Sequence, residues 1–203
     1  MSSQAPTRRR SPWPGLLLAF VVTTLLTLVF GGSAYVHFYP ALEYGSLERE
    51  ITQEGLGTGH PIPYNTLYTD PLLASPTSKT KLLSVGGNTD TLYTLGVLNL
   101  AKGPQELHVP NMAGRYYAVE FLNPSNGTVI DSIERRTTGT GTGEFLIIGP
   151  GWHGNAPAGM RKIVSPNDNV LVIGRTLVKN QDDVPAAYAL ARQIVLTPFK
   201  GPP

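Results

Sequence analysis

The residues of this chain that could carry chemistry are arginines set among a few acids. Arg115, Arg135, Arg136 and Arg175 share short apolar stretches with Asp90, Tyr93 and Glu120. Guanidinium groups grip carboxylate or phosphate through two parallel hydrogen bonds, so a pocket lined by Asp90, Tyr93, Arg115 and Arg175 would suit a small anion. The same residues admit a structural reading. Asn88 and Asp90 would brace a turn by side-chain-to-backbone bonds, and the arginines would pair with Asp90, Glu120 or Asp131. The structural reading is preferred, because such groups often hold irregular connections in place. Trp152, inside Gly149-Pro150-Gly151-Trp152, reads as a packing lid over one end of the fold.

Other chemistries find less footing. His37, His60, His108 and His153 are scattered, with no acidic or histidine partner at a metal-ligand spacing, and no cofactor is implied. The chain has no cysteine and no Gly-x-Ser-x-Gly elbow, so thiolate chemistry is excluded and a serine triad has no visible base. The glycine-threonine run Thr137–Gly143 lacks the Lys-Ser/Thr that ends a phosphate loop; a bulged connection between strands is the better reading.

The elements that must position these residues follow a β pattern. Short apolar runs separated by turn signals predict strands at Lys81–Val85, Thr91–Leu98, Gln105–Val109, Tyr116–Leu122, Thr128–Glu134, Glu144–Ile148, Arg161–Val164 and Asn169–Leu177. Tyr117, Val119 and Phe121 alternate with Tyr116, Ala118 and Glu120, as on a strand with one buried face. Val170–Ile173 is continuously apolar, which suits a strand covered on both sides. Asp182-Asp183 and Pro185 open a helix over Ala186–Val195 that Pro198 stops. Ala187, Leu190, Ala191 and Ile194 would form its core-packing stripe. An all-β sandwich closed by one C-terminal α-helix is the architecture expected over residues 82–203. Residues 38–81, with scattered prolines and only Leu42–Ile51 of helical character, read as an extended linker or arm.

The N-terminal region speaks about location. Gly15–Val36 is a run of 22 residues without a charge, preceded by Arg8-Arg9-Arg10. A helix of that length spans about 33 Å, enough for a hydrocarbon core of about 30 Å. Residues 15–37 therefore read as a transmembrane helix in contact with the lipid bilayer. The basic tail 1–14 belongs in the cytoplasm, and the rest lies outside the cell membrane. A cleaved signal with its hydrophobic region at Leu16–Phe30 is the competing reading. Without the three arginines, thirteen Lys and Arg stand against fourteen Asp and Glu, so no basic footprint for nucleic acid remains.

A series of motifs carries a resemblance. Asn88-Thr89-Asp90-Thr91-Leu92-Tyr93, Val109-Pro110, Gly114-Arg115-Tyr116-Tyr117 and Arg136-Thr137-Thr138-Gly139 come first. Gly149-Pro150-Gly151-Trp152-His153-Gly154, Gly174-Arg175-Thr176, Asp182-Asp183 and Leu196-Thr197-Pro198-Phe199 continue in the same order. Together, over about residues 82 to 199, the chain resembles the family called domain of unknown function 1254. The resemblance implies a bacterial or archaeal protein with a jelly-roll-like β-sandwich, often beside a second domain, number 1214. The chain resembles the short, membrane-anchored members that lack the 1214 domain. Asn99 and Asn123 depart from the family pattern, in which aspartates often occupy these places. Asn88, Asp90, Tyr93, Arg115, Glu120, Arg136, Trp152 and Arg175 are the ligand-binding candidates.

Two functions compete. One is an anchored envelope module that binds or assembles, docking a membrane partner with a 1214-type domain. The other is an envelope hydrolase or small-molecule enzyme with a polar site at the sandwich end. The first is preferred, since no residue set identifies a catalyst.

Overall fold

Why the apolar runs become two packed sheets is visible in the computed structural model, which describes residues 13–73 and 89–201. The chain divides into two compact units, residues 1–39 and 40–203. The expected strand Lys81–Val85, the Arg8–Arg10 cluster and Asn88 lie outside the described residues.

Helix α1 spans Trp13–Arg49. Over its first unit it is apolar and uncovered, with Leu17 67%, Phe30 69% and Val36 72% exposed. By length and composition it is long and apolar enough to cross a membrane. Pro40, which has no amide hydrogen to give the helix ladder, stands where the second unit begins.

Among the described residues the second unit holds nine strands: β1 Tyr68–Thr69, β2 Thr91–Asn99, β3 Gln105–Val109, β4 Tyr117–Leu122, β5 Val129–Glu134, β6 Gly143–Ile148, β7 Arg161–Val164, β8 Asn169–Leu177 and β9 Val195–Pro198. A short helix, α2 (Val184–Ala191), precedes β9. One sheet has the antiparallel order β1-β2-β8-β4-β5, and the other has the order β7-β6-β3-β9, in which β6 and β7 are parallel. Between the sheets lie Leu107, Tyr117, Val119, Phe121, Ile133, Ile147, Ile163, Val170 and Val172, nearly all without exposed surface. The alternation read in Tyr117–Phe121 is that inward face.

The outer face of the larger sheet is covered as well. Tyr93, Leu95, Val97 and Leu171 pack with Ile51, Leu56 and Ile62, against which Tyr44 and Leu47 rest. This second layer explains the continuous run Val170–Ile173: its residues alternate between two buried faces. Residues 38–81 were expected as an extended arm. Their described part instead supplies this layer, and the Tyr64 hydroxyl donates to Glu48 Oε1 at 2.5 Å across it. The reversal after α1 depends on Gly55 and Leu56, both at positive φ (67° and 54°). A Cβ on Gly55 would sit 1.6 Å from the carbonyl oxygen of His60, so only glycine fits there.

The chain's end departs from expectation. The helix expected over Ala186–Val195 ends at Ala191; Gln193 and Ile194 donate to the carbonyls of Leu190 and Ala191 in a tight final turn. Val195 then pairs with His108 as the first residue of an unexpected edge strand. Pairing with β3 prevails over the helical spacing, and Ile194 reaches the core from beyond the helix.

Candidate functional site

The sequence candidates are distributed by the two sheets rather than gathered. Tyr93 on β2 and Arg175 on β8 are register partners, and cross-strand partners share a face. The guanidinium carbon lies 5.7 Å from the Tyr93 ring centroid, a cation–π distance. Glu120 is set on β4 opposite Ile173, and its charge, after burial itself, pushes the Tyr44 hydroxyl above its usual ionisation range. Asp90 is exposed just before β2, and its carbonyl accepts the amide of Val178. Arg136 is exposed in the turn after β5, while Trp152 meets Phe199 edge-on at 6.2 Å between centroids, a packing contact.

Arg115 does bind a carboxylate, but one within the chain. Its Nη1 donates to Asp183 Oδ2 at 2.5 Å and to the carbonyl of Leu177 at 2.6 Å, and its Nη2 donates to Asp183 Oδ1 at 2.9 Å. Asp183 Oδ2 also accepts the Lys179 amide at 2.8 Å. These bonds, the Arg115 pair foremost, hold the Asp183 carboxyl well below the usual carboxylate range. The fork thus ties the turn before β4 to the entry of α2. The partners expected for the arginines are corrected here: Arg115 takes Asp183, and Asp131 goes to Arg161, whose Nη2 donates to both its oxygens at 2.6 and 2.8 Å. That pair joins β5 to β7, the outer strands of the two sheets on one side.

The two asparagines noted in the sequence are built into turns. Asn123 Oδ1 accepts the Ser125 amide at 2.8 Å and the Asn167 side chain at 2.6 Å, an Asx turn at the end of β4. The backbone of Asn99 exchanges two bonds with the Asn65 side chain, at 2.8 and 3.2 Å.

On the side of the sandwich opposite the Asp131–Arg161 pair, between β1 and β9, a cleft of about 310 Å³ opens. Leu67 and Leu196 line it from the core side, above the buried Ile194, and Tyr188 and Arg192 add polar groups; Tyr68 borders it but packs with Leu95 in the outer layer. Gly96 on β2 shapes one wall. A Cβ there would meet the Thr66 carbonyl oxygen at 2.4 Å, so the missing side chain lets residues 66–69 lie against the sheet. Within the cleft the polar groups divide. Asn65 is spent on Asn99, and the Thr69 hydroxyl on Thr94 at 2.9 Å. Tyr68 is half-buried, and burial, then Asp70 and Tyr188, raise its hydroxyl above the usual tyrosine range. None of the sequence candidates lines this cleft. Its one legible signal was Tyr188 and Arg192, four residues apart near the helix end and so on one side of it.

A family model described as "Protein of unknown function (DUF1254)" matches residues 64–198, more than half of the chain. No curated protein is significantly similar to the chain. The crystal structure of the VPA0106 protein from Vibrio parahaemolyticus is similar at 21% identity with a TM-score of 0.62; the match covers 84% of this chain and 39% of that one. The chain therefore spans about two fifths of the Vibrio protein's resolved length. An uncharacterized protein from Burkholderia cenocepacia matches at 8% identity and a TM-score of 0.39, covering 74% of this chain and 38% of its own, too remote to carry an argument.

Proposed function

The chain belongs to the DUF1254 family, and on that premise we propose that it is a membrane-anchored extracytoplasmic module of jelly-roll-like fold. It works by binding, and its task is to dock a second β-sandwich protein of the membrane, one with a 1214-type domain. The observation that carries this reading is how the polar family residues are employed. Arg115 is closed onto Asp183 and the Leu177 carbonyl, and the Arg175 guanidinium lies over the Tyr93 ring, although its buried Nε has no hydrogen-bond partner among the described residues. The first ties strand to helix and the second sits between neighbouring strands, as a scaffold requires.

Three further facts support it. The carboxyl with a strongly displaced ionisation, Asp183, is pushed low, the opposite of what a general acid needs. The similar fold in the Vibrio protein is part of a chain of which well over half lies outside the match, so this fold is found in company. Helix α1 leaves its apolar side chains uncovered over Trp13–Tyr39, as lipid contact requires, and the arginines at 8–10 favour a cytoplasmic N-terminus.

The test is purification of the tagged full-length protein in mild detergent, with identification of what accompanies it. A stoichiometric second membrane protein with a β-sandwich domain is the expected result. A lone chain under conditions that preserve other envelope complexes overturns the docking reading.

A further inference from the structure

We infer that the cleft between β1 and β9 is a binding site for a small organic monocarboxylate, with its charged end on Arg192 and its body against Leu67 and Leu196. At about 310 Å³ the cleft falls within the range of small-molecule sites, roughly 300–1,000 Å³. Its polar inventory is the main argument. The groups that could have been structural, Asn65 and Thr69, have their partners within the fold. Arg192 and Tyr188 have no side-chain hydrogen bond or ion pair among the described residues, so a fork of donors and one hydroxyl remain available in the cleft. A guanidinium meets a carboxylate in the bidentate geometry that Arg115 and Asp183 already display in this chain.

Charge decides between carboxylate and phosphate. One guanidinium balances one negative charge. The Asp70 carboxylate is close enough to Tyr68 to oppose its ionisation, and it would oppose a dianion in the cleft more strongly than a monoanion. The inference stands apart from the docking reading: a lone chain on purification would leave it untouched.

The experiment is a calorimetric titration of the full-length protein in detergent with benzoate, and separately with inorganic phosphate. Benzoate is expected to bind saturably in the millimolar range or tighter, with phosphate weaker. Arg192→Ala should weaken benzoate at least about tenfold, the loss of one charge-assisted pair, while Arg192→Lys falls between. Arg192 is exposed, so its variants should keep the parent's melting temperature; partition of benzoate into the micelle is common to all of them. Absence of saturable binding, unchanged affinity in Arg192→Ala, or tighter binding of phosphate than of benzoate would each overturn the assignment.

Discussion

Between β5 and β7, the outer strands on one side of the sandwich, Arg161 spans to both oxygens of Asp131. Between β1 and β9, on the other side, no such pair joins the edges among the described residues, and a cleft lined by Tyr68, Tyr188 and Arg192 stays open. Both sides face the same structural problem, since two twisted sheets diverge at their edges and leave backbone unpaired. One side is joined by an ion pair that uses up its charges. The other keeps an arginine uncommitted beside an open cleft. The difference separates residues that maintain the fold from residues free to meet a ligand.

The comparison can be broken most severely from the shared core. Phe121→Ala, at a site with no exposed surface, should cost about 3–5 kcal/mol in chemical denaturation and disturb both sides at once. Gly96→Ala acts on the open side only. Its new Cβ would meet Thr66, so a loss of about 1–3 kcal/mol is expected, together with weaker benzoate binding as the cleft wall shifts. Should Gly96→Ala cost stability while binding stays at parent strength, the wall formed by residues 66–69 has no part in the cleft's recognition.

A smaller effect separates the Arg115 clamp from both sides. The Asp183 carboxyl ionises lower in the folded state than its unfolded value of about 3.9, so its stabilisation is fully present above that value and is lost as pH falls towards the folded one. Asp183→Asn should therefore be less stable than the parent at neutral pH, with the gap narrowing on acidification below about pH 4. Thermal melts of the two proteins across that window check it, and a gap that is constant with pH would show the clamp to be electrostatically inert. Arg161→Ala should do least, about 0–1 kcal/mol, because the pair is solvent-exposed and screened by salt.

These contrasts also mark where the sequence was readable. Strands such as β3, β7 and β8 were legible to the residue, because apolar runs bounded by turn residues are set by local chemistry. β1 was not, since two residues show no alternation; its place depends on Gly96 in a strand 27 positions later. β9 was hidden because Ile194 continues the apolar spacing of α2, and only pairing with β3 turns Val195–Pro198 into an edge strand. At the candidate residues, the need of Arg115 for a carboxylate was legible, but its partner lies 68 positions away. The cleft was illegible for the same reason, since its walls come from chain segments that only the two sheets bring together.

The two sides of the sandwich thus differ in kind, one structural and one receptive. Benzoate titration of the parent, Arg161→Ala and Arg192→Ala proteins side by side would tell the two apart. Parent-like affinity is expected for Arg161→Ala and at least about a tenfold loss for Arg192→Ala, with melting temperatures close to the parent's in both. Equal losses in the two variants, or none in either, would contradict that difference.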